Sequence, residues 1–269
     1  MSIQTNNTAL RAILDQVAAL PDPVVDYSGD IKGIIEKNKE TIKIPQDITI
    51  IGPFTFQGNS TLKNIVLPNG VTSIGADAFN GCTSLLLTKL PPKLTEISDN
   101  CFKNCLNITI AEIPEGVTEI NDGAFWGCTK LAIKKLPSNL QTIGIYGFSK
   151  CSNITVSELP LTLTEVPDYA FQNCAKITVN KIHSNITRVG GYAFNGCTGL
   201  KKLWISKNCI KISATSTSNC PFRNATNVEI YTDATAKLSG WGKYWNYTTA
   251  TEQATVHYGV SEATFNAMA

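Results

Sequence analysis

Apolar positions along this chain recur at one fixed step rather than in long helical or alternating runs. Phenylalanine stands at Phe56, Phe79, Phe102, Phe125, Phe148, Phe171 and Phe194, each 23 residues after the last, with no insertion. Aliphatic residues keep the same step at Val71, Leu94, Val117, Leu140, Leu163 and Ile186, and again at Ile74, Ile97, Ile120, Ile143, Val166 and Val189. Proline recurs at Pro45, Pro68, Pro91, Pro114, Pro137 and Pro160, then gives way to His183 and Ser206. A 23-residue unit cannot bury its own apolar face, but stacked units line identical positions into continuous rows. The pattern therefore predicts a solenoid of about eight coils. Within a coil, short β segments would pair with their neighbours about 4.8 Å away. Proline, lacking an N–H donor, would end one segment and turn the chain. The Phe would lie in a turn or 3₁₀ segment, its ring stacked on the rings above and below for about 0.5–1.5 kcal/mol beyond burial.

Two units, IPEGVTEINDGAFWGC (113–128) and LPPKLTEISDNCFKNC (90–105), carry the pattern LPxxLTxIxxxAFxxC. It resembles the BspA-like (Treponema pallidum type) leucine-rich repeats over roughly residues 42–230. The resemblance implies an α/β repeat solenoid of right-handed leucine-rich-repeat type, with short β-strands. It also implies a non-enzymatic binding or adhesion module that recognises a protein or glycan on a cell or matrix, hence a surface location. One departure is visible. The outer units LKNIVLP (62–68) and LKKLWIS (200–206) keep an LxxLxL spacing, whereas ITIAEIP and LAIKKLP place the second apolar residue two positions after the first. That leaves the strand register of the central units open.

The ends depart from the period and read as caps. Residues 5–20 place Leu10, Ile13, Leu14 and Val17 on one helical stripe behind an Asn7 or Thr8 N-cap, and Pro21 and Pro23 then break it. The expected division is an N-terminal helix or attachment segment over 1–24, an N-terminal cap over 25–41, the solenoid over 42–228 and an aromatic C-terminal cap over 229–269. From Phe194 to Phe222 is 28 residues, so five extra residues fall in the polar stretch SATSTSN. The opening NNTALRAILDQVAALPDP resembles the short N-terminal segments of phage or prophage tail and fibre proteins that carry such repeats. An alternative expectation follows: a virion-associated structural or receptor-binding protein, self-associating or attached to a tail protein through residues 1–24.

Charge narrows the chemistry. Charged residues make up 16% and the net charge is +2, so no strongly basic balance points to nucleic acid. No apolar run of about 18 residues exists to insert in a membrane, and no signal peptide is visible at the start. Nine cysteines at first suggest disulfides or metal. On the 23-residue period, however, Cys82, Cys105, Cys128, Cys151, Cys174 and Cys197 form one column three residues after the Phe. Cys101 stands in a small-residue column and Cys209 in an aliphatic one, leaving only Cys220 unassigned. Core cysteine behaves as a small hydrophobe, so buried reduced thiols are expected. No CxxC pair and no His at ligand spacing suggest a metal. With His183 in a proline column, read as an exposed turn residue, and no nucleophile or phosphate motif, no catalytic residue and no cofactor is assigned.

Two surface columns remain. Lys89, Glu112, Lys135, Glu158 and Lys181 alternate in sign, and stacked coils would set opposite charges side by side. Tyr146, Tyr169 and Tyr192 stand two residues before the core Phe, where earlier units carry Asp77, Asn100 and Gly123. Tyrosine offers contact area at low entropic cost, so these three, with Trp126 and Trp204, are the candidate binding residues; the alternative for the tyrosines is a locally tightened turn with half-buried rings.

Overall fold

The computed structural model describes residues 40–268. The helix expected over 5–20 and the attachment role of residues 1–24 lie outside those residues. Each 23-residue period is one coil of a β-solenoid, and successive coils stack in parallel. One ribbon consists of two-residue strands, from Ile50–Ile51 and Ser73–Ile74 through Glu119–Ile120 to Arg188–Val189 and Lys211–Ile212, paired in three successive groups of two, three and three. Partners are offset by one repeat, as in Ile51↔Ile74, Ile97↔Ile120 and Val189↔Ile212. The second residue of every pair is buried and the first faces outward. That alternation is what a pleat with one wet face requires.

A second ribbon is interrupted. Thr41–Lys43 pairs with Asn64–Val66 at one end. At the other end Lys181–Ile182, Lys202–Ile205, Glu229–Thr232 and Thr255–His257 form a four-stranded parallel sheet. Residues 85–90, 108–113, 131–136 and 154–159 between them form no strand. The cause is the altered apolar spacing. Outer units bury the third and fifth residues after the first leucine, as in Leu200, Leu203 and Ile205, whereas central units bury the second and fifth, as in Leu85, Leu87 and Leu90. Moving one inward side chain by a residue turns the intervening peptides over. A single main-chain bond per step survives along the central rows, from Thr109 to Leu87, Ala132 to Ile110 and Thr155 to Ile133, each 3.0 Å.

The remaining side of each coil is a turn built around the phenylalanine. Phe56, Phe79, Phe102, Phe125, Phe148, Phe171, Phe194 and Phe222 are all buried. Their rings stack with centroids 5.0 Å apart at the first step and 6.0 Å at the last, and the five-residue insertion before Phe222 does not break the row. This turn holds two residues at positive φ, two before and two after the Phe, as at Asn100 (50°) and Asn104 (58°). A helix cannot accommodate such residues. The repeats therefore contain no helix, which corrects the α/β expectation: the described solenoid consists of short strands and turns. The helix among the described residues, Glu262–Asn266, follows the repeats, with Ser261 as its N-cap.

The cysteines settle into the core. All nine are free and buried. Each thiol of the main column donates to the Phe carbonyl of the preceding coil, from Cys82 to Phe56 at 3.1 Å and from Cys105 to Phe79 at 3.0 Å onward. Cys220, which the repeat left unassigned, donates to the carbonyls of Tyr247 at 2.7 Å and Trp245 at 3.3 Å. Beyond the last repeat, Trp241 and Trp245 are also buried. The Trp241 indole N–H donates to the Cys209 carbonyl at 2.6 Å.

Candidate functional site

The tyrosine column and Trp126 come together on the turn edge. Trp126, one residue after Phe125, stacks on Tyr146 of the next coil with ring centroids 5.3 Å apart. Tyr146 stacks on Tyr169 at 4.5 Å, and Tyr169 on Tyr192 at 4.6 Å. All four rings are half-buried. They form a second aromatic row outside the core phenylalanines. Lys103, in the Trp126 column one coil earlier, places its ammonium 4.4 Å from the Trp126 ring centroid, and Lys150 reaches the same ring at 5.6 Å. Burial first, then the adjacent phenols of Tyr146 and Tyr192 and the Asp168 carboxylate, raise the Tyr169 hydroxyl above the ordinary phenol range. It therefore stays protonated, a donor as well as an acceptor, at neutral pH.

The backbone beneath the stack is strained. Tyr146, Tyr169 and Tyr192 have φ of 60°, 60° and 57°. Asp77, Asn100 and Gly123 occupy the same column at positive φ, and those are the residue types that tolerate it. A tyrosine there costs about 1–2 kcal/mol. Phe54, at φ 59° and exposed, is another bulky member of the column, four coils away from Tyr146.

Lys103, Lys150 and Ile145 were missing from the sequence-derived set. Two of them carried a signal in departures from their own columns. Lys150 sits at φ 63° where Gly58, Gly81, Asn104, Gly127, Asn173 and Gly196 stand in other coils. Ile145 is 42% exposed in a column that holds Asp99, Asp122 and Asp168 in the flanking coils and Pro53, Ala76 and Gly191 in the outer ones.

Other expectations resolve differently. Trp204 does not join the stripe. It is 3% exposed, packed with Tyr231 and Phe265, and its indole N–H donates to the Val260 carbonyl at 3.1 Å. The chain beyond the repeats folds back over it, which removes it from any ligand surface. His183 is likewise buried rather than exposed, because its Nε2 lies 2.9 Å from the Pro160 carbonyl of the preceding coil. Among the described residues no ion pair joins Lys89, Glu112, Lys135 and Glu158. Lys181 instead meets Glu262 at 3.1 Å. Among the described residues no group of three or more His, Cys, Asp or Glu is placed to hold a metal ion. No helix among them is long and apolar enough to cross a membrane.

Comparison with known proteins places the architecture. No curated protein sequence matches the chain. A leucine-rich repeat protein from Bacteroides ovatus is similar at 25% identity and a TM-score of 0.60, over 81% of this chain and 60% of its own. One from Eubacterium ventriosum, at 17% identity and a TM-score of 0.52, shares the fold over 79% of this chain and 65% of its own. A leucine-rich repeat protein of T. pallidum is 27% identical over 60% of this chain and 64% of its own, with a TM-score of 0.45. The chain thus spans less than two thirds of each of these proteins. The leucine-rich repeat is a non-catalytic scaffold. The BspA type leucine rich repeat region matches in six copies over residues 36–139 and 119–235, and the chain belongs to that family.

Proposed function

We propose that this chain is a non-enzymatic recognition module that binds a protein or glycan on a cell or matrix through the turn edge carrying Trp126, Tyr146, Tyr169 and Tyr192. One observation carries the reading. Three consecutive coils place tyrosine at left-handed backbone positions, where Asp77, Asn100 and Gly123 serve the three coils immediately before them. Backbone strain concentrates where a site needs a particular side chain. The rings are partly open to solvent, and tyrosine and tryptophan are enriched at interfaces. An extended repeat surface presents such a row without moving.

The test replaces all three tyrosines with asparagine, the residue that Asn100 supplies in the same column, so that the turn is preserved. Binding of the full chain to intact epithelial cells and to a panel of immobilised matrix proteins is measured by biolayer interferometry and cell-adhesion counts. The triple variant should keep its circular dichroism spectrum and lose binding at least tenfold. Unchanged binding by the folded variant would remove the stripe as the site.

A further inference from the structure

The ring geometry restricts what can lie on this edge. Trp126, Tyr146, Tyr169 and Tyr192 are separated by one coil step and are parallel to within 22°. Parallel rings with centroids 4.5 Å apart cannot lie side by side, so they are stacked along the solenoid axis. Ring faces are therefore consumed within the stack. Tyr146 and Tyr169 each lie between two rings, and Trp126 lies between Tyr146 and the Lys103 ammonium. Only Tyr192 keeps a face not covered by a neighbouring ring or cation. A sugar chain held by stacking needs several open faces. This edge instead presents ring hydrogens, which carry the positive side of the aromatic quadrupole, and phenolic hydroxyls.

Three columns change within six residues of one coil, and Tyr146 and Lys150 both meet Trp126. Ile145 stands where the flanking coils carry Asp99, Asp122 and Asp168. Tyr146 replaces Asp, Asn or Gly, and Lys150 replaces Gly or Asn at positive φ. One carboxylate is removed, and an apolar surface and a cation are added, within six residues. With Lys103, the result is an apolar strip whose Trp126 end carries two ammonium groups. On the flank, Asp122 accepts from the Ile145 amide and Asp168 is paired with Arg188.

We infer that the occupant is an extended polypeptide segment running along the solenoid axis, apolar over Ile145 and the tyrosines, with a carboxylate seated between Lys103 and Lys150. This rests on the recognition role proposed above and names the partner chemistry. Four coil steps of about 4.8 Å span roughly 19 Å, the length of about six extended residues.

The immobilised full chain is used to select from a phage-displayed random octapeptide library. The selected synthetic peptides, heparin and cellohexaose are then titrated against wild type, Lys103→Glu/Lys150→Glu, Lys150→Asn and the tyrosine-to-asparagine triple variant. Selected peptides should share one Asp or Glu beside β-branched or aromatic residues. They should bind the charge-reversed variant at least tenfold more weakly, and Lys150→Asn, which installs the residue of Asn104 and Asn173, by an intermediate factor. Heparin and cellohexaose should show no tyrosine-dependent binding. Selection of no peptide, of peptides without acidic residues, or of peptides indifferent to the lysine changes would overturn the inference. So would tyrosine-dependent binding of heparin or cellohexaose. If the triple variant loses matrix binding while no acidic peptide is selected, the recognition edge stands and the acidic occupant falls.

Discussion

Replacing Tyr169 and Tyr192 separately by asparagine isolates the worth of a single ring contact in the exposed stack. Both residues sit at nearly the same backbone angle, φ 60° and 57°. The strain relieved by asparagine, about 1–2 kcal/mol, is therefore common to the two and cancels in the comparison. The contacts do not cancel. Tyr169 loses two stacked partners, Tyr146 at 4.5 Å and Tyr192 at 4.6 Å, whereas Tyr192 loses Tyr169 alone. An offset aromatic pair contributes about 0.5–1.5 kcal/mol beyond burial, so Tyr169→Asn should cost about that much more than Tyr192→Asn. Urea unfolding followed by far-ultraviolet circular dichroism reads the difference from the midpoints, provided the slopes agree. In the double variant the shared Tyr169–Tyr192 contact is counted once, so the summed single losses should exceed the double loss. Equal losses at the two sites, or a larger loss at Tyr192, would refute the view that the stack is held by pairwise ring contacts. The strain makes this row a costly place to put tyrosine for stability alone, which is why recognition explains it better.

Phe125→Ala should cost about 3–5 kcal/mol, because the ring is fully buried between Phe102 at 5.6 Å and Phe148 at 5.5 Å; a loss below about 1 kcal/mol in urea unfolding would contradict a close-packed ladder. The thiols provide a second check. Burial pushes Cys82, Cys209 and Cys220 up to about 12 and the remaining thiols upward as well. In the unfolded chain thiols lose their protons near pH 8.5. The fold's hold on the protonated form is thus fully present below that pH and is lost as pH rises toward the folded values. The urea midpoint should stay level to about pH 8.5 and fall beyond it, and a thiol reagent at pH 8 should label no cysteine until the protein is unfolded. Rapid labelling of the native protein would contradict the buried column.

Much of this architecture was legible in the sequence because a solenoid repeats one local solution. When each coil contacts chiefly its neighbours, every buried position reappears at the same step, and the step itself states which residues share a row. The Phe row, the Cys column and the outward tyrosines could all be read that way. The altered spacing in ITIAEIP and LAIKKLP also marked where one ribbon would break, though the break itself required knowing which peptides turn over. Where the period ends, the reading failed. Trp204 looks like an exposed aromatic until the chain around Phe265 returns over it, a contact across more than fifty residues that no periodicity encodes. His183 inherits a proline column but finds the Pro160 carbonyl, which draws it inward.

The sequence by itself determined the coil, its period, the residues that fill its core and the neutral state of its cysteines, since each follows from burying like positions against like. Tertiary structure decided the site. Whether Lys103, Trp126, Tyr146 and Lys150 meet depends on how the turns of successive coils stack at positive φ. That stacking also decides that ring edges rather than faces meet the solvent. Periodicity places residues in rows, but only the path of the backbone through the turn fixes how neighbouring rows touch.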